Sequence, residues 1–194
     1  MKIIYGFIPL ILILSFLYSF FGRNSKVDIT TLSLSFYDYT ANSIDGSAIP
    51  MEEYKGKKVL IVNVASKCGY TPQYKELQDL YETYPNDLVI LGFPANDFLW
   101  QEPENNDTIK QFCKNTYGVT FPMFEKTSVK KSQEQHSLYT WLSDKQLNGW
   151  NDVAPSWNFC KYLIDENGKL IQYYPSKINP LNDEIIKYLS KPKS

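Results

Sequence analysis

Residues 59–72 read Val-Leu-Ile-Val-Asn-Val-Ala-Ser-Lys-Cys-Gly-Tyr-Thr-Pro, and this stretch decides the fold that the sequence predicts. Val59–Val64 is short, apolar and rich in β-branched residues, which predicts a buried strand. Thr71 and Pro72 are typical of a helix start, with the threonine as N-cap and the proline at the first helical position. Cys68 is therefore expected on the turn between a central strand and a helix N-terminus.

The expected position of Cys68 favours thiol chemistry. Backbone N–H groups and the positive end of a helix dipole stabilise a thiolate, and Lys67 adds a neighbouring cation. The thiolate is the nucleophilic form of cysteine, so the turn predicts a reactive site. The alternative is a small apolar cysteine that closes a strand, which requires neither the turn nor the helix start.

Outside this stretch, hydrophobic periodicity and turn residues predict alternating strands and helices. The predicted strands are 32–39, 88–93, 158–164 and 169–174, with a hairpin turn over 42–46 and another over 165–168. The predicted helices are 73–84, 107–117, 135–142 and 181–189. This order predicts an α/β domain with a thioredoxin-like fold, in which helices flank a central mixed sheet.

Composition narrows the possible functions. The net charge of −1 gives no basic field for nucleic acid. The single histidine, His136, lies in a polar stretch and is expected at the surface. The three cysteines, Cys68, Cys113 and Cys160, lack close metal-type spacing, so we expect no metal site and no bound cofactor. Their odd number fits one reactive pair and one structural cysteine, for which we take Cys160.

The N-terminus predicts a membrane segment over 1–23, followed by a linker over 24–31 and the domain over 32–194. Ile3–Phe21 carries no charge, and as a helix it would span roughly 28 Å, close to the hydrocarbon thickness of a bilayer. The run 19–22 is a poor cleavage site, so we expect an uncleaved anchor rather than a cleaved secretory signal. Flanking cations nearly cancel, and we expect the domain outside the cytoplasm.

Three blocks of sequence, in order, resemble the glutathione peroxidase family. The first is Asn63–Pro72, the second is Leu91–Phe98 followed by Gln101-Glu102-Pro103, and the third is Trp157-Asn158-Phe159 followed by Lys161. The resemblance covers Leu32–Leu189. It implies a thioredoxin-like fold and a peroxidase in which a cysteine thiolate attacks a hydroperoxide and becomes a sulfenic acid.

The resemblance also implies roles for particular residues. Cys68 would be the nucleophile, with Trp157 and Asn158 offering N–H donors beside the sulfur. An ordinary core aromatic and a turn residue are the alternatives for these two positions. We align Asp97 with the family glutamine. An ionised carboxylate accepts hydrogen bonds and repels a thiolate, so we expect Asp97 to slow or retune the site.

Cys113 resembles the resolving cysteine of the thioredoxin-dependent, two-cysteine branch of the family. It would attack the Cys68 sulfenic acid to form a disulfide, which requires the helix over 107–117 to unwind locally. The alternative is a helix cysteine packed in the core. The short segment over 127–146 implies a monomer with an open site, able to admit lipid hydroperoxides. Without an evident basic cluster for glutathione, a thioredoxin-like reductant is expected.

The leading functional interpretation is a membrane-tethered, thiol-dependent peroxidase that reduces hydrogen peroxide and organic or lipid hydroperoxides. Two alternatives remain. One is a peroxide-sensing relay that passes a disulfide to partner proteins, and the other is a degenerate thioredoxin-like binding module. A binding module would not need Cys68, Cys113, Trp157 and Asn158 together.

Overall fold

A computed structural model of the protein describes residues 34–189. The strands are β1 Thr40–Asn42, β2 Ala48–Pro50, β3 Lys58–Val64, β4 Leu88–Pro94, β5 Lys161–Ile164 and β6 Leu170–Tyr174. The helices are α1 Gln73–Thr83, α2 Asn106–Tyr117, α3 Ser137–Leu142, α4 Lys145–Asn148 and α5 Asp183–Ile186, with 3₁₀ turns at Phe36–Asp38 and Met51–Tyr54.

Four strands form the central sheet in the order β4-β3-β5-β6. β3 pairs in parallel with β4 and antiparallel with β5, and β6 pairs antiparallel with β5. The mixed sheet predicted from the sequence is therefore confirmed. The parallel register runs from Lys58 opposite Leu88 to Val64 opposite Pro94, so the ends of β3 and β4 bring the first two sequence blocks to one edge.

Both faces of the sheet are covered, which explains why β3 and β4 read as continuous apolar runs. Leu60, Val62 and Val64 join one buried cluster with residues of α1 and α2. Val59 and Ile61 join a second cluster with residues of α3. Alternate side chains of one strand thus supply both cores, as the two-residue period of a strand requires.

The chain before the sheet departs from one prediction. The hairpin is confirmed, because β1 pairs with β2 around 43–47. The strand expected over 32–39 is wrong for the described residues, since Phe36–Asp38 is a 3₁₀ turn. Ser35 Oγ accepts from Tyr37 N at 3.2 Å, and the Asp38 carboxylate accepts from Ser35 N at 2.7 Å. These local bonds outweigh the alternating pattern.

Other element boundaries shift for local reasons. β5 starts at Lys161 rather than at 158, because Phe159 has a φ of +64°, which interrupts extended backbone. α5 is shorter than the predicted 181–189. His136 is half-buried rather than at the surface: its Nδ1 accepts from Leu138 N at 3.2 Å and caps α3, and burial lowers its pKa.

Gly92 in β4 allows a close approach of the segment over 121–124. Gly92 N donates to Pro122 O at 2.9 Å, and Phe124 N donates to Gly92 O at 2.9 Å. A Cβ at this position would lie 2.5 Å from Met123 Sδ. This chain path covers the outer edge of β4, and it runs directly from α2.

The predicted membrane segment over 1–23 and the linker over 24–31 lie outside the described residues. Across residues 34–189, no helix combines the length and apolar character needed to cross a bilayer.

Candidate active site

The turn between β3 and α1 holds Cys68, as predicted, with its residue 8% exposed. Thr71 does not cap the helix as expected. Its Oγ1 accepts from Cys68 N at 3.0 Å and donates to Ala65 O at 2.9 Å, so it closes the turn on itself. Tyr70 N donates to Cys68 Sγ at 3.4 Å. The backbone N–H that contacts the sulfur therefore belongs to the turn rather than to the first residues of α1.

The neighbouring cation is engaged elsewhere. Lys67 Nζ forms an exposed ion pair with Glu104 at 3.0 Å. An exposed pair of this kind contributes little to stability, but it neutralises the charge expected beside the sulfur. The same pair lines a cleft of about 250 Å³ between the Cys68 turn and α2, together with Ser66, Thr108 and Phe112.

Gln101 joins the first and third sequence blocks. Its backbone oxygen accepts from Lys67 N at 2.9 Å, directly before Cys68. Its Oε1 accepts from Asn158 Nδ2 at 2.9 Å. Within residues 34–189, its Nε2 donates to no group, so two N–H donors remain available at the site. The side-chain amide that contacts Asn158 is therefore that of Gln101, a residue whose role the sequence did not reveal.

Asp97 faces a different part of the chain. Its carboxylate accepts from Ser128 Oγ at 3.1 Å, Val129 N at 2.6 Å and Lys130 N at 3.4 Å. Across the described residues, none of its hydrogen bonds reaches Cys68, Trp157 or Asn158. These bonds fasten the loop over 128–130 and do not favour the predicted place of Asp97 beside the sulfur, which stays a prediction.

Asn63 positions the third sequence block. It is fully buried in β3, and its Nδ2 donates to Trp157 O at 2.9 Å. Phe159 N donates to Asn63 O at 2.6 Å, and the left-handed Phe159 turns the chain between Asn158 and β5. A buried amide in an otherwise apolar strand was visible in the sequence as the one polar residue among Val59–Val64.

Trp157 and Asn158 occupy adjacent but different environments. Trp157 is half-buried, and its ring lies 5.7 Å from that of Phe98. Asn158 is fully buried, and its Oδ1 has no partner within the described residues. Cys68 lies in a buried cluster against which Trp157 packs. The structure therefore brings Trp157, Asn158 and Gln101 to the Cys68 edge of the sheet and leaves Asp97 at the adjacent loop.

Glu102 helps to hold the Cys68 turn through Ser66, two residues before Cys68. It is fully buried, and its carboxylate accepts from Ser66 Oγ at 2.8 and 3.0 Å. Its own N–H donates to Asn96 Oδ1 at 3.0 Å. Burial raises the pKa of Glu102, although the Ser66 bonds oppose this. Because this buried carboxylate binds the chain two residues before Cys68, we regard Glu102 as a positioning group. In the sequence, the only sign of Glu102 was its place in the second block.

Cys113 lies on the inner face of α2 and is 1% exposed. It belongs to the same buried cluster as Cys68, and both thiols are free. Burial raises the pKa of Cys113 from 9.0 to about 11, so the folded helix holds it as a thiol. A cavity of about 390 Å³ opens beside the helix, lined by Ile44, Cys113, Val119, Phe121 and Met123 among others.

Cys160 and Lys161 form a buried polar network beside the third block. Cys160 Sγ lies 3.5 Å from both Ser176 Oγ and Tyr173 OH. Burial raises the pKa of Cys160, but these two hydrogen bonds and those from the backbone of Ser156 and Trp157 together outweigh burial and hold the pKa below its usual value. Lys161 Nζ donates to Gln73 Oε1, Phe159 O and Ile178 O at 2.7, 2.8 and 2.7 Å. Burial lowers the Lys161 pKa to about 7, while three acceptors satisfy its ammonium.

Comparison with known proteins supports the resemblance. The glutathione peroxidase family model matches residues 36–143. A glutathione peroxidase of Lactococcus lactis is 45% identical over 159 residues, which cover 80% of this chain and 100% of that protein. The glutathione peroxidase-like peroxiredoxin 2 of Saccharomyces cerevisiae is 45% identical over 163 residues, covering 82% and 100%. A hydroperoxy fatty acid reductase of Synechocystis is 41% identical over 165 residues, covering 81% and 95%.

Solved structures agree on the fold. The crystal structure of Trgpx in its apo form has a TM-score of 0.61 and 37% identity, covering 82% of this chain and 98% of that one. A thioredoxin-family thiol:disulfide interchange protein from Chlorobium tepidum has a TM-score of 0.52 at 17% identity, covering 78% and 92%. The second likeness shows the fold alone. The predicted thioredoxin-like fold is confirmed.

Proposed function

Because the chain belongs to the glutathione peroxidase family and is a peroxidase, we propose that Cys68 is the thiol with which it reduces hydrogen peroxide and organic or lipid hydroperoxides. The observation that carries this proposal is the Gln101 amide. It bonds to Asn158 through Oε1 and to the Cys68 turn through its backbone oxygen, and among residues 34–189 neither of its Nε2 hydrogens has an acceptor.

In the first step, the Cys68 thiolate attacks the distal oxygen of the hydroperoxide. An S–O bond forms, the O–O bond breaks, and the other oxygen leaves as water or an alcohol after taking a proton. Donors are needed where negative charge shifts from sulfur to the leaving oxygen. The Gln101 Nε2, the Trp157 indole N–H and the Tyr70 backbone N–H supply such donors, and Asn158 orients Gln101.

In the second step, Cys113 attacks the sulfenic sulfur, which forms an S–S bond and releases water. The buried Cys113 is held as a thiol, so α2 must open before this thiol reaches Cys68 and ionises. A thioredoxin-like dithiol then reduces the disulfide by exchange. Relatives described as peroxiredoxins favour this reductant over glutathione. The pairing of Lys67 with Glu104 also leaves the adjacent cleft without a free cation for glutathione carboxylates.

The decisive experiment is a peroxide-reduction assay with a thioredoxin system and, in parallel, with glutathione. Cys68→Ser is expected to abolish activity with both reductants. Cys160→Ser is the matched control, because it removes a buried thiol of the same domain without touching the proposed mechanism. Retention of more than a few per cent of activity in Cys68→Ser would refute the assignment.

The proposal includes the membrane tether. Ile3–Phe21 would hold the domain at a bilayer, on the side away from the cytoplasm. The full chain is expected in the membrane fraction and should resist extraction by alkaline carbonate. Recovery of a shortened, soluble chain would instead support a cleaved secretory signal.

A further inference from the structure

Lys161 belongs to the third sequence block, and the proposed chemistry does not use it. Its side chain is fully buried, which is rare for a lysine because water solvates an ammonium far better than a protein interior does. Its Nζ donates to Gln73 Oε1, Phe159 O and Ile178 O at 2.7, 2.8 and 2.7 Å. All three acceptors are uncharged, and an ammonium has one hydrogen for each of them. The core thus contains a fitted site for this cation.

The bond to Phe159 connects Lys161 to Asn158. Phe159 has a φ of +64°, a region that residues with a Cβ rarely adopt and that persists only where surrounding contacts enforce it. Its N–H donates to Asn63 O at 2.6 Å, and its oxygen accepts from Lys161. Asn158 directly precedes this turn and donates to Gln101 Oε1 at 2.9 Å. Lys161 therefore helps to fix the direction in which Asn158 faces Gln101.

The bond to Gln73 connects Lys161 to the Cys68 turn. Gln73 is the first residue of α1, and its N–H donates to Tyr70 O at 2.9 Å. Tyr70 N in turn donates to Cys68 Sγ at 3.4 Å. Gln73 Nε2 donates to Ser176 O at 2.8 Å, which holds the side-chain amide with its oxygen towards Lys161. One ammonium thus bonds to both sides of the active site.

We propose that the Lys161 ammonium fixes Asn158, and through it Gln101, relative to the Cys68 turn, which makes Lys161 a positioning residue for the attack on the hydroperoxide. This inference rests on the proposed peroxidase function and deepens it. Lys161 contacts neither the sulfur nor the substrate, so the bonds that form and break in the reaction are unchanged. Its effect arises because small displacements of catalytic groups lower reaction rates strongly.

The strength of this positioning depends on the charge of Lys161. An ammonium donates to all three oxygens, whereas a neutral amine has only two hydrogens and turns its lone pair towards the third oxygen. Burial lowers the Lys161 pKa to about 7. One of the three bonds is therefore expected to be lost as pH rises through about 7, and the rate of Cys68 oxidation should respond.

Titratable groups lie on several elements packed against Lys161. Glu76 on α1 and the adjacent Cys160 oppose the effect of burial, because negative charge on either raises the Lys161 pKa. Tyr174 of β6 pairs with Lys161, and burial raises its pKa, so its hydroxyl stays neutral near pH 7. The paired residue of β3 is apolar, and Lys177 in the segment 175–179 is exposed.

The test measures single-turnover oxidation of Cys68 by hydrogen peroxide between pH 6 and pH 9 in the full chain. Lys161→Met keeps the apolar stem of the side chain and removes its three hydrogen bonds. It is expected to lower the rate at pH 6 by at least roughly tenfold. The ratio of the wild-type rate to the variant rate should fall as pH rises through about 7. A residue that only fills space would give a constant ratio.

Alkylation of Cys68 by iodoacetamide separates positioning from electrostatics. This reaction requires the thiolate but no donor to a leaving oxygen, so it reports the ionisation of Cys68 alone. Wild type and Lys161→Met are expected to alkylate at the same rate at each pH. Each oxidation rate is divided by the corresponding alkylation rate before the proteins are compared.

The matched control is Lys58→Met. Lys58 lies at the start of β3, whereas Cys68 follows the end of that strand, and its Nζ bonds to Asp87 and Glu166. Its side chain is only 12% exposed, so the variant also removes a largely buried lysine from the sheet. Lys58→Met is expected to lower stability and to leave the oxidation rate of Cys68 unchanged.

Glu76→Gln is a second variant that does not depend on the folding of Lys161→Met. It removes a negative charge that raises the Lys161 pKa, at a partly exposed position. The fall in the normalised oxidation rate is therefore expected at a lower pH than in the wild type. This fall should persist in Cys160→Ser, which excludes titration of the neighbouring thiol as its cause.

Equal normalised rates for wild type and Lys161→Met at pH 6, or a ratio that does not change with pH, would overturn the inference. Equal losses of alkylation and oxidation would also overturn it, since Lys161 would then act on the ionisation of Cys68 and not on the donors. Failure of hydrogen peroxide to oxidise Cys68 in the wild type would instead refute the peroxidase proposal itself.

Discussion

The turn that carries Cys68 and the helix that carries Cys113 are held to the core in different ways. Hydrogen bonds from separate parts of the chain fix the turn: Thr71 closes it, Glu102 grips Ser66, and Gln101 accepts from Lys67. Helix α2 is held by a cap at each end and by its inner face, beside a cavity of about 390 Å³. Its other bonds lie at the surface or near its first residue: Lys110 forms an exposed ion pair with Asp45, and Asn106 Oδ1 accepts from Lys126 N at 2.9 Å. We therefore expect the nucleophile to stay in place while the proposed resolving thiol is released.

The largest expected effect tests whether release of α2 serves catalysis at all. Cys113→Ser should lower turnover with a thioredoxin system by at least roughly 100-fold, because no second thiol remains to form the disulfide. The first oxidation of Cys68 should keep its rate, since Cys113 takes no part in that step. Single-turnover and steady-state kinetics separate the two.

Disulfide mapping after peroxide treatment supplies the corresponding control. A Cys68–Cys113 bond is expected in the wild type and in Cys160→Ser. A Cys68–Cys160 bond, or undiminished turnover of Cys113→Ser with thioredoxin, would contradict the two-cysteine cycle.

The second prediction concerns the Cys68 turn, and it compares two residues of the neighbouring loop, Gln101 and Asp97. Gln101→Leu should lower the rate of Cys68 oxidation by roughly 100-fold, because it removes the N–H donors that we propose stabilise charge on the leaving oxygen. Asp97→Asn should change that rate by less than about threefold, because the Asp97 carboxylate bonds to the segment over 128–130. Stopped-flow oxidation by hydrogen peroxide measures both.

The rates of these variants distinguish whether Gln101 or Asp97 lies beside the Cys68 sulfur. A large rate increase in Asp97→Gln, with little loss in Gln101→Leu, would mean that the carboxylate acts beside the sulfur after all. Thermal unfolding of Asp97→Asn should show a loss of about 1 kcal/mol from weakened bonds to Val129 and Ser128.

This pair of residues also shows how far sequence reasoning reaches. Apolar runs located β3 and β4, and helical spacing of apolar residues located α1, because these patterns are local properties of the chain. Motif order located Cys68, Trp157 and Asn158. The distinction between Asp97 and Gln101 depends on the positive φ angles of Leu99 and Trp100, which reverse the loop. Such a loop has no regular spacing of side chains. Its backbone path must therefore be known before one can tell which polar side chain lies near the site.

The third prediction uses pH to examine the buried state of Cys113. Its pKa is raised by burial from 9.0 to about 11. Well below pH 9 the thiol is neutral in both the folded and the unfolded state, so its contribution to the free energy of unfolding is fully present. Between pH 9 and 11 the unfolded thiol ionises while the folded one does not, so the free energy of unfolding falls as pH rises through this window, by about 3 kcal/mol at most.

Cys113→Ser isolates this contribution, because serine does not ionise there. The difference in unfolding free energy between wild type and variant, from urea titrations at pH 8 and pH 10.5, should shift against the wild type at the higher pH. A constant difference would show that Cys113 is already accessible to water in the resting protein.

The smallest expected effect concerns the ease with which α2 opens. Asn105 caps this helix: its Oδ1 accepts from Thr108 N at 2.9 Å. Asn105→Ala removes the cap at a cost of about 1 kcal/mol, which raises the population of the opened helix roughly fivefold if only the helix pays that energy. Disulfide formation after peroxide treatment should therefore become severalfold faster, although the protein becomes less stable.

Asn182→Ala is the control, because it removes an equivalent cap from α5, where Asn182 Oδ1 accepts from Glu184 N at 2.8 Å. It should lower the stability of the protein without speeding disulfide formation. Equal acceleration by both variants would indicate global rather than local opening. A slower disulfide in Asn105→Ala would mean that α2 stays helical while Cys113 reacts, and that the Cys68 turn is the part that moves.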